Sequence, residues 1–198
     1  GSVVLDDNTV ALWSVSGEIS IWDLNKQLQI GTLLGHTSSV SDVFVLSNGY
    51  LASSAMFEPS LRIWDPNKAP KAPPLDNHKD VIISEVHVQG HEVLTASHDE
   101  TIRIWNRDTA ECSFVCTEHT KPLECMAWGG DGEIISGDWA GVMLHWNRSG
   151  DVLQRFVGHT GWIRGFHVLS TSRLLSWSDD STLRIWDRSN GLEVAVLE

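Results

Sequence analysis

Apolar and polar residues alternate with period two through most of the chain. Leu94 to Ser97 reads L-T-A-S and Thr101 to Trp105 reads T-I-R-I-W, with the turn formers His98-Asp99-Glu100 between them. This pattern predicts strands, not helices. From His159 onward it predicts four strands: Trp162 to Leu169, Arg173 to Ser178, Thr182 to Trp186 and Leu192 to Leu197, joined by the turns STS, DD and DRSNG. A four-stranded meander cannot bury both of its faces alone, so successive meanders must stack on one another.

The alternating stretches repeat. Five of them end in Trp: ISIWD at Trp22, LRIWD at Trp64, IRIWN at Trp105, MLHWN at Trp146 and LRIWD at Trp186, spaced by 42, 41, 41 and 40 residues. A second signal keeps the same period, in Gly35-His36, Asn77-His78, Glu118-His119 and Gly158-His159. The reading is five units of about 41 residues, with approximate bounds 3–34, 35–76, 77–117, 118–157 and 158–198.

The segments LTASHDETIRIWN (Leu94 to Asn106) and LLSWSDDSTLRIWD (Leu174 to Asp187), each preceded by a loop His, resemble the WD-repeat β-propeller family over nearly the whole chain. The resemblance implies an all-β propeller of about five four-stranded blades. It also implies a buried network in each blade, in which the loop His meets a turn Asp and a strand Ser or Thr that holds the indole N–H. The implied sets are His78, Thr95, Asp99 and Trp105, and His159, Ser176, Asp180 and Trp186. Two further sets depart from the pattern: His36, Ser54 and Trp64 with Glu58 in place of Asp, and His119, Ser136 and Trp146 with Ala140. Unit one has Leu12 and Ser16 at the Ser and Asp places beside Trp22, and unit two carries the Pro-rich stretch Pro66 to Pro74, suited to an outermost edge strand.

Composition narrows the function. Apolar residues make up 41%, and 16 Gly bring the share into the globular range, so the chain folds. With 14 basic against 26 acidic residues the net charge is −12, which argues against nucleic acid. No apolar run reaches the ~18 residues of a membrane span. Cys112, Cys116, His119 and Cys125 have zinc-ligand chemistry, but His119 already has a place in a blade network, so no metal and no cofactor is expected. Three thiols suit a reducing, cytoplasmic setting.

A buried Ser-His-Asp set linked to an indole answers the need of buried polar groups for partners. A hydrolytic reading would require an exposed Ser beside oxyanion donors, so no enzyme is expected. The resemblance instead places partner contacts at positions three and five after the loop His and just before the turn acid. Those positions are Ser39, Ser41 and Phe57; Val81, Ile83 and His98; Pro122, Glu124 and Trp139; Trp162, Arg164 and Asp179. Phe57, Trp139, Trp162 and Arg164 stand out, because large aromatics and Arg dominate interface energetics. Trp13, Trp128 and Trp177 are expected in the core. The expectation is a scaffold that binds a protein or peptide on this face, with a glycan-binding propeller as the alternative. Gly1-Ser2 resembles an expression scar, and the chain stops where another Gly-His-Thr is expected, so it reads as part of a longer protein. A closed ring, an open arc and association through the end blades all remain open.

Overall fold

The computed structural model describes residues 1–46, 49–66, 74–76, 78–106, 109, 111–130 and 132–198. It contains five four-stranded antiparallel sheets. The first is β1 (Ser2–Asp6), β2 (Thr9–Trp13), β3 (Glu18–Asp23) and β4 (Leu28–Leu34). The second is β5 (Val40–Val45), β6 (Leu51–Ala55), β7 (Ser60–Trp64) and β8 (Pro74–Asp76), and the third is β9 (Ile82–Gln89), β10 (Glu92–Ser97), β11 (Ile102–Asn106) and β12 (Glu111–Cys116). The fourth is β13 (Leu123–Gly130), β14 (Glu133–Asp138), β15 (Val142–Trp146) and β16 (Val152–Val157). The fifth is β17 (Ile163–Ser170), β18 (Arg173–Ser178), β19 (Leu183–Asp187) and β20 (Glu193–Leu197). Each sheet runs in chain order, as a meander must. The four strands expected after His159 match β17 to β20 with ends shifted by at most one residue.

In the fourth and fifth sheets the residue after the repeated Trp shapes the third turn. Asp187 Oδ1 accepts the Ser189 N–H at 2.9 Å and the Ser189 hydroxyl at 2.6 Å, and Asn147 Oδ1 accepts the Ser149 and Asp151 N–H groups, both at 2.9 Å. Such local acceptors replace the strand ladder where the chain reverses. The preceding hairpin needs a left-handed residue. Gly141 takes it at φ 81°, with His159 O so close that a Cβ would lie 2.4 Å away.

The chain divides into two compact units, Gly1–Leu94 with Trp105–Ser113, and Thr95–Ile104 with Phe114–Glu198. In the first, Ala11, Ile19, Ile21 and Leu33 of the first sheet meet Val40, Val43, Leu51 and Trp64 of the second. A further cluster joins Leu61 and Ile63 to Ile82, Val93 and Trp105. In the second unit, Cys125, Ile135, Met143 and Phe156 of the fourth sheet meet Ile163, Leu174 and Trp186 of the fifth. Every cluster is therefore a face-to-face contact between consecutive sheets. Trp64, Trp105, Trp146 and Trp186 are all at most 2% exposed.

Pro74 lies on β8, an edge strand, opposite Arg62. Positions 67–73 of the Pro-rich stretch, and Asn77 of the repeat signal, lie outside the described residues. Three expectations about Trp change. Trp177 is 39% exposed. Trp13 is only partly buried against the first cluster, and Trp128 is likewise partly buried.

Candidate functional site

In the fifth sheet the loop residue His159 places Nδ1 2.8 Å from Asp180 Oδ2 and Nε2 2.8 Å from Ser176 Oγ. The Trp186 indole N–H donates to the same Ser176 oxygen at 2.8 Å. One arrangement satisfies every group: indole to hydroxyl, hydroxyl to Nε2, and Nδ1–H to carboxylate. Asp180 also accepts the Thr160 N–H at 3.0 Å, and its second oxygen accepts the Thr182 N–H at 3.0 Å and hydroxyl at 2.7 Å. Burial pushes this carboxyl up, but the bonds from Thr160, Thr182 and His159 outweigh it and hold Asp180 well below the usual carboxylate range. Ser176 has no exposure at all, so its oxygen serves the network and offers nothing to a substrate.

Two sets expected to be damaged are intact by another route. In the fourth sheet Ala140 is replaced by Asp138, two residues earlier: its Oδ2 meets His119 Nδ1 at 2.9 Å, and its Oδ1 accepts the Ala140 and Val142 N–H groups at 2.9 and 3.0 Å. His119 Nε2 and the Trp146 indole share Ser136 Oγ at 2.7 and 2.8 Å. One carboxylate thus holds the His and shapes the turn, tasks that Asp180 and Ser178 divide in the fifth sheet.

In the second sheet the expected Ser54 is wrong, and Ser53 takes the role. Ser53 Oγ lies 2.7 Å from both His36 Nε2 and Trp64 Nε1, whereas Ser54 faces the other way and bonds Ser41 Oγ at 2.9 Å. The cause is one extra turn residue. Ser53 and Trp64 stand 11 apart, against 10 for Ser176 and Trp186, and Phe57 adopts a left-handed φ of 61° to take up the excess. Counting back from Glu58 therefore lands one residue late, on the opposite face of the strand. Glu58 still reaches His36 Nδ1 at 2.7 Å, and its other oxygen accepts the Thr37 N–H, the Thr37 hydroxyl and, at 2.9 Å, the Ser38 N–H. Burial raises this carboxyl, but those bonds lower it further, and burial lowers the basicity of His36.

The first sheet uses a shorter solution: Trp22 donates to Ser20 Oγ at 3.1 Å, and Ser20 donates to Leu12 O at 3.2 Å. In the third, His78, Thr95 and Trp105 are all buried, the rings of His78 and Trp105 meet edge to face at 6.2 Å, and Asp99 accepts the Thr101 N–H and hydroxyl at 3.0 and 2.6 Å.

Six of the twelve expected contact residues come together in one group. His98 meets Trp139 edge to face at 4.9 Å, and Trp139 stacks on Trp162 at 4.0 Å with the planes 1° apart. The Arg164 guanidinium lies over the Trp162 ring, 4.9 Å from its centre. Arg164 grips Asp179 with two bonds of 2.7 Å and donates to Glu124 Oε1 at 2.6 Å, while Glu124 Oε2 accepts the Trp139 indole N–H at 2.7 Å. The backbone sets this geometry: Trp139 N donates to Pro122 O and Asp179 N to Trp162 O, both at 3.0 Å, so each turn is tied to the strand start beside it. The Asp179 bonds raise the basicity of Arg164, and Arg164 in turn lowers Asp179. Trp162 stays 36% exposed, and the Arg164 and Asp179 side chains stay 42% and 45% exposed.

Phe57, Val81 and Ile83 lie elsewhere. Phe57 is the inserted turn residue and is 81% exposed, while Met56 takes the backbone place equivalent to Trp139, donating to Ser39 O at 2.8 Å. Val81 is partly buried, and Ile83 is 8% exposed, so its side chain belongs to the core and is not displayed to a partner. Cys112, Cys116 and Cys125 are free thiols, and both ring nitrogens of His119 are engaged as described.

Sheets and networks of this kind define a β-propeller built from WD-type blades. The chain belongs to the WD-repeat family: the profile described as "WD domain, G-beta repeat" matches residues 27–65, 73–106, 110–147 and 150–187. The nuclear distribution protein PAC1 of Arthroderma otae is 31% identical over 221 residues, covering 91% of this chain and 47% of its own. The nuclear distribution protein nudF of Aspergillus niger is 26% identical over 201 residues, covering 88% and 45%. This chain thus spans about half the length of these curated relatives. The ribosome biogenesis protein YTM1 of Eremothecium gossypii is 41% identical over 61 residues, 31% of this chain and 14% of its own. Among solved structures, the computationally designed Ika8 protein superposes with a TM-score of 0.80 at 21% identity, over 97% of this chain and 59% of the designed one.

Proposed function

We propose that this chain is a non-catalytic, cytoplasmic interaction scaffold that holds a protein or peptide against the group formed by His98, Trp139, Trp162, Arg164, Glu124 and Asp179, with Phe57 and Val81 as outlying contacts. The observation that carries the reading is the pre-set geometry of the stack. Its side chains are already fixed by one another, so a partner meets a rigid aromatic and Arg surface without the entropy cost of ordering it. The relatives support a scaffold in general terms, since they are named for nuclear distribution and ribosome biogenesis rather than for a reaction. Glu124 and Asp179 carry two negative charges against the one positive charge of Arg164, so the group favours a basic partner side chain. A glycan fits less well: the Trp139 and Trp162 faces that meet each other, and the ring surface under Arg164, are already in use.

Peptides selected on the purified protein from a displayed random library test this reading. Trp139→Ala with Trp162→Ala is expected to weaken the selected peptides about 30-fold or more, as loss of a ~2 kcal/mol hot spot requires. Selected peptides that bind the double variant as tightly as the parent overturn it.

A further inference from the structure

Two pairs of side chains in the contact group sit at the same two positions of successive sheets. Glu124 and Arg164 each stand five residues after a loop His, His119 and His159, and each bonds the residue 15 positions further on, Trp139 and Asp179. The Glu124 bond to Trp139 ties β13 to the turn after β14, and the Arg164 fork on Asp179 ties β17 to the turn after β18. Two further contacts join the pairs: the 2.6 Å bond from Arg164 Nη1 to Glu124 Oε1, and the stack of Trp139 on Trp162. The second sheet carries Ser41 and Met56 at these places, and there Ser41 turns instead to Ser54.

The two acids of this group are placed differently. Each Glu124 oxygen has its own donor, the Trp139 indole on Oε2 and Arg164 on Oε1, and the side chain is only 23% exposed. Stacking fixes the spacing of two indoles far better than their rotation in the ring plane. The bond to Glu124 supplies that missing direction. Without it the Trp139 N–H has to find water, and Arg164 loses its tie to the fourth sheet. Asp179 bonds neither indole. Both of its side-chain bonds go to Arg164, the side chain is 45% exposed, and each carboxylate oxygen has a second lone pair to offer. Loss of its charge leaves Arg164 over the Trp162 ring and on Glu124.

We propose that the two acids divide the work: Glu124 is the positioning residue that sets the indole stack, and Asp179 is the specificity-determining residue that selects a basic side chain in the partner. The first task is internal to the chain, and the second rests on the function proposed above. Exposure separates the two tasks. A carboxylate that aims an indole must be held by its donors, as Glu124 is, whereas a partner's ammonium or guanidinium needs a carboxylate that it can reach, as Asp179 is. Arg164 connects the two acids, so the group keeps its shape while only one of them faces the partner.

Circular dichroism tests the first task without any partner. The parent is expected to show the exciton couplet of the stacked indoles, which Trp139→Phe abolishes. Glu124→Ala is expected to lose most of that couplet while the cooperative melt of the fold persists. Glu124→Gln, whose amide oxygen still accepts the indole N–H, is expected to regain most of it, and Asp179→Asn is expected to keep it. Peptides selected on the parent from a displayed random library test the second task. They are expected to be enriched in Lys and Arg, and Asp179→Asn is expected to bind them about tenfold more weakly through loss of one charge pair. A parent-like couplet in Glu124→Ala overturns the positioning role. Basic peptides that bind Asp179→Asn as tightly as the parent, yet are lost from Trp139→Ala with Trp162→Ala, overturn the selective role alone. If that double variant also binds them as tightly as the parent, the reading of the site itself fails.

Discussion

Asp138 holds His119 Nδ1 from 19 residues along the chain, whereas Asp180 holds His159 Nδ1 from 21 and Glu58 holds His36 Nδ1 from 22. The His-to-Ser separation is 17 in all three. The ring, the hydroxyl and the indole therefore keep their places while the carboxylate arrives by three routes, because an acid in or beside the turn only has to bring one oxygen to Nδ1.

This makes Asp138 a network residue that can be moved. Asp138→Ala is expected to lower stability in chemical denaturation by about 1–3 kcal/mol, since His119 and two turn N–H groups lose their acceptor. Asp138→Ser with Ala140→Asp rebuilds the arrangement of the fifth sheet and is expected to recover most of that loss. A double variant no more stable than Asp138→Ala counts against the equivalence of the two routes.

The two neighbouring serines of the second sheet are expected to behave differently. Ser53→Ala strands the Trp64 indole N–H and His36 Nε2 in a buried site, at a cost of about 1–3 kcal/mol. Ser54→Ala removes only the bond to Ser41 and is expected to cost clearly less. Thermal melts of the two single variants decide the matter, and equal losses contradict the assignment of Ser53.

Acid should unfold the protein through these same carboxylates. Asp180 and Glu58 are held below their ordinary values, so the unfolded chain binds protons more readily than the native one as pH drops. Their stabilisation is complete above the ordinary carboxylate pKa of about 4 and is lost as pH falls through the lower native values. Burial of neutral His36 acts in the same direction from about pH 6.5 downward, because only the unfolded imidazole takes its proton easily. The expected result is stability that falls from near neutral pH into acid, with Asp180→Asn flattening the most acidic part. Denaturant midpoints across pH measure it, and a midpoint that rises on acidification contradicts the sign.

Gly137 is expected to tolerate no side chain. A Cβ there would lie 2.6 Å from Ile163 Cγ2, 2.8 Å from Ile163 Cβ and 2.9 Å from Cys125 Sγ. Ile163 is branched and fully buried, so it cannot swing aside, and Gly137→Ala should cost about 1–3 kcal/mol. Trp177→Ala, at the same register but exposed, should change monomer stability less. Comparison of the two melts checks this, and a Gly137→Ala protein as stable as the parent shows that the two sheets separate more easily than their packing implies.

The repeat period, the strands within each unit, the His and Trp of the networks and the serines Ser136 and Ser176 were determined by sequence alone, because alternation and spacing are local and every copy reinforces the others. The residues before the turn acid and after the loop His were also legible, and tertiary structure then stacked Trp139 on Trp162 and pinned Arg164 between Glu124 and Asp179. What lay beyond the sequence were matters of reach and cover. The extra residue at Phe57 turns Ser54 away and Ser53 inward, which no spacing rule reveals, because an inserted residue can be absorbed in the strand or in the turn. Asp138 looks like any strand-end polar residue until its oxygen is seen 2.9 Å from His119. Trp13 and Trp177 share one register and one residue type, yet one packs against a neighbouring sheet and the other faces solvent, since burial belongs to the sheet across the face and not to the strand that carries the side chain.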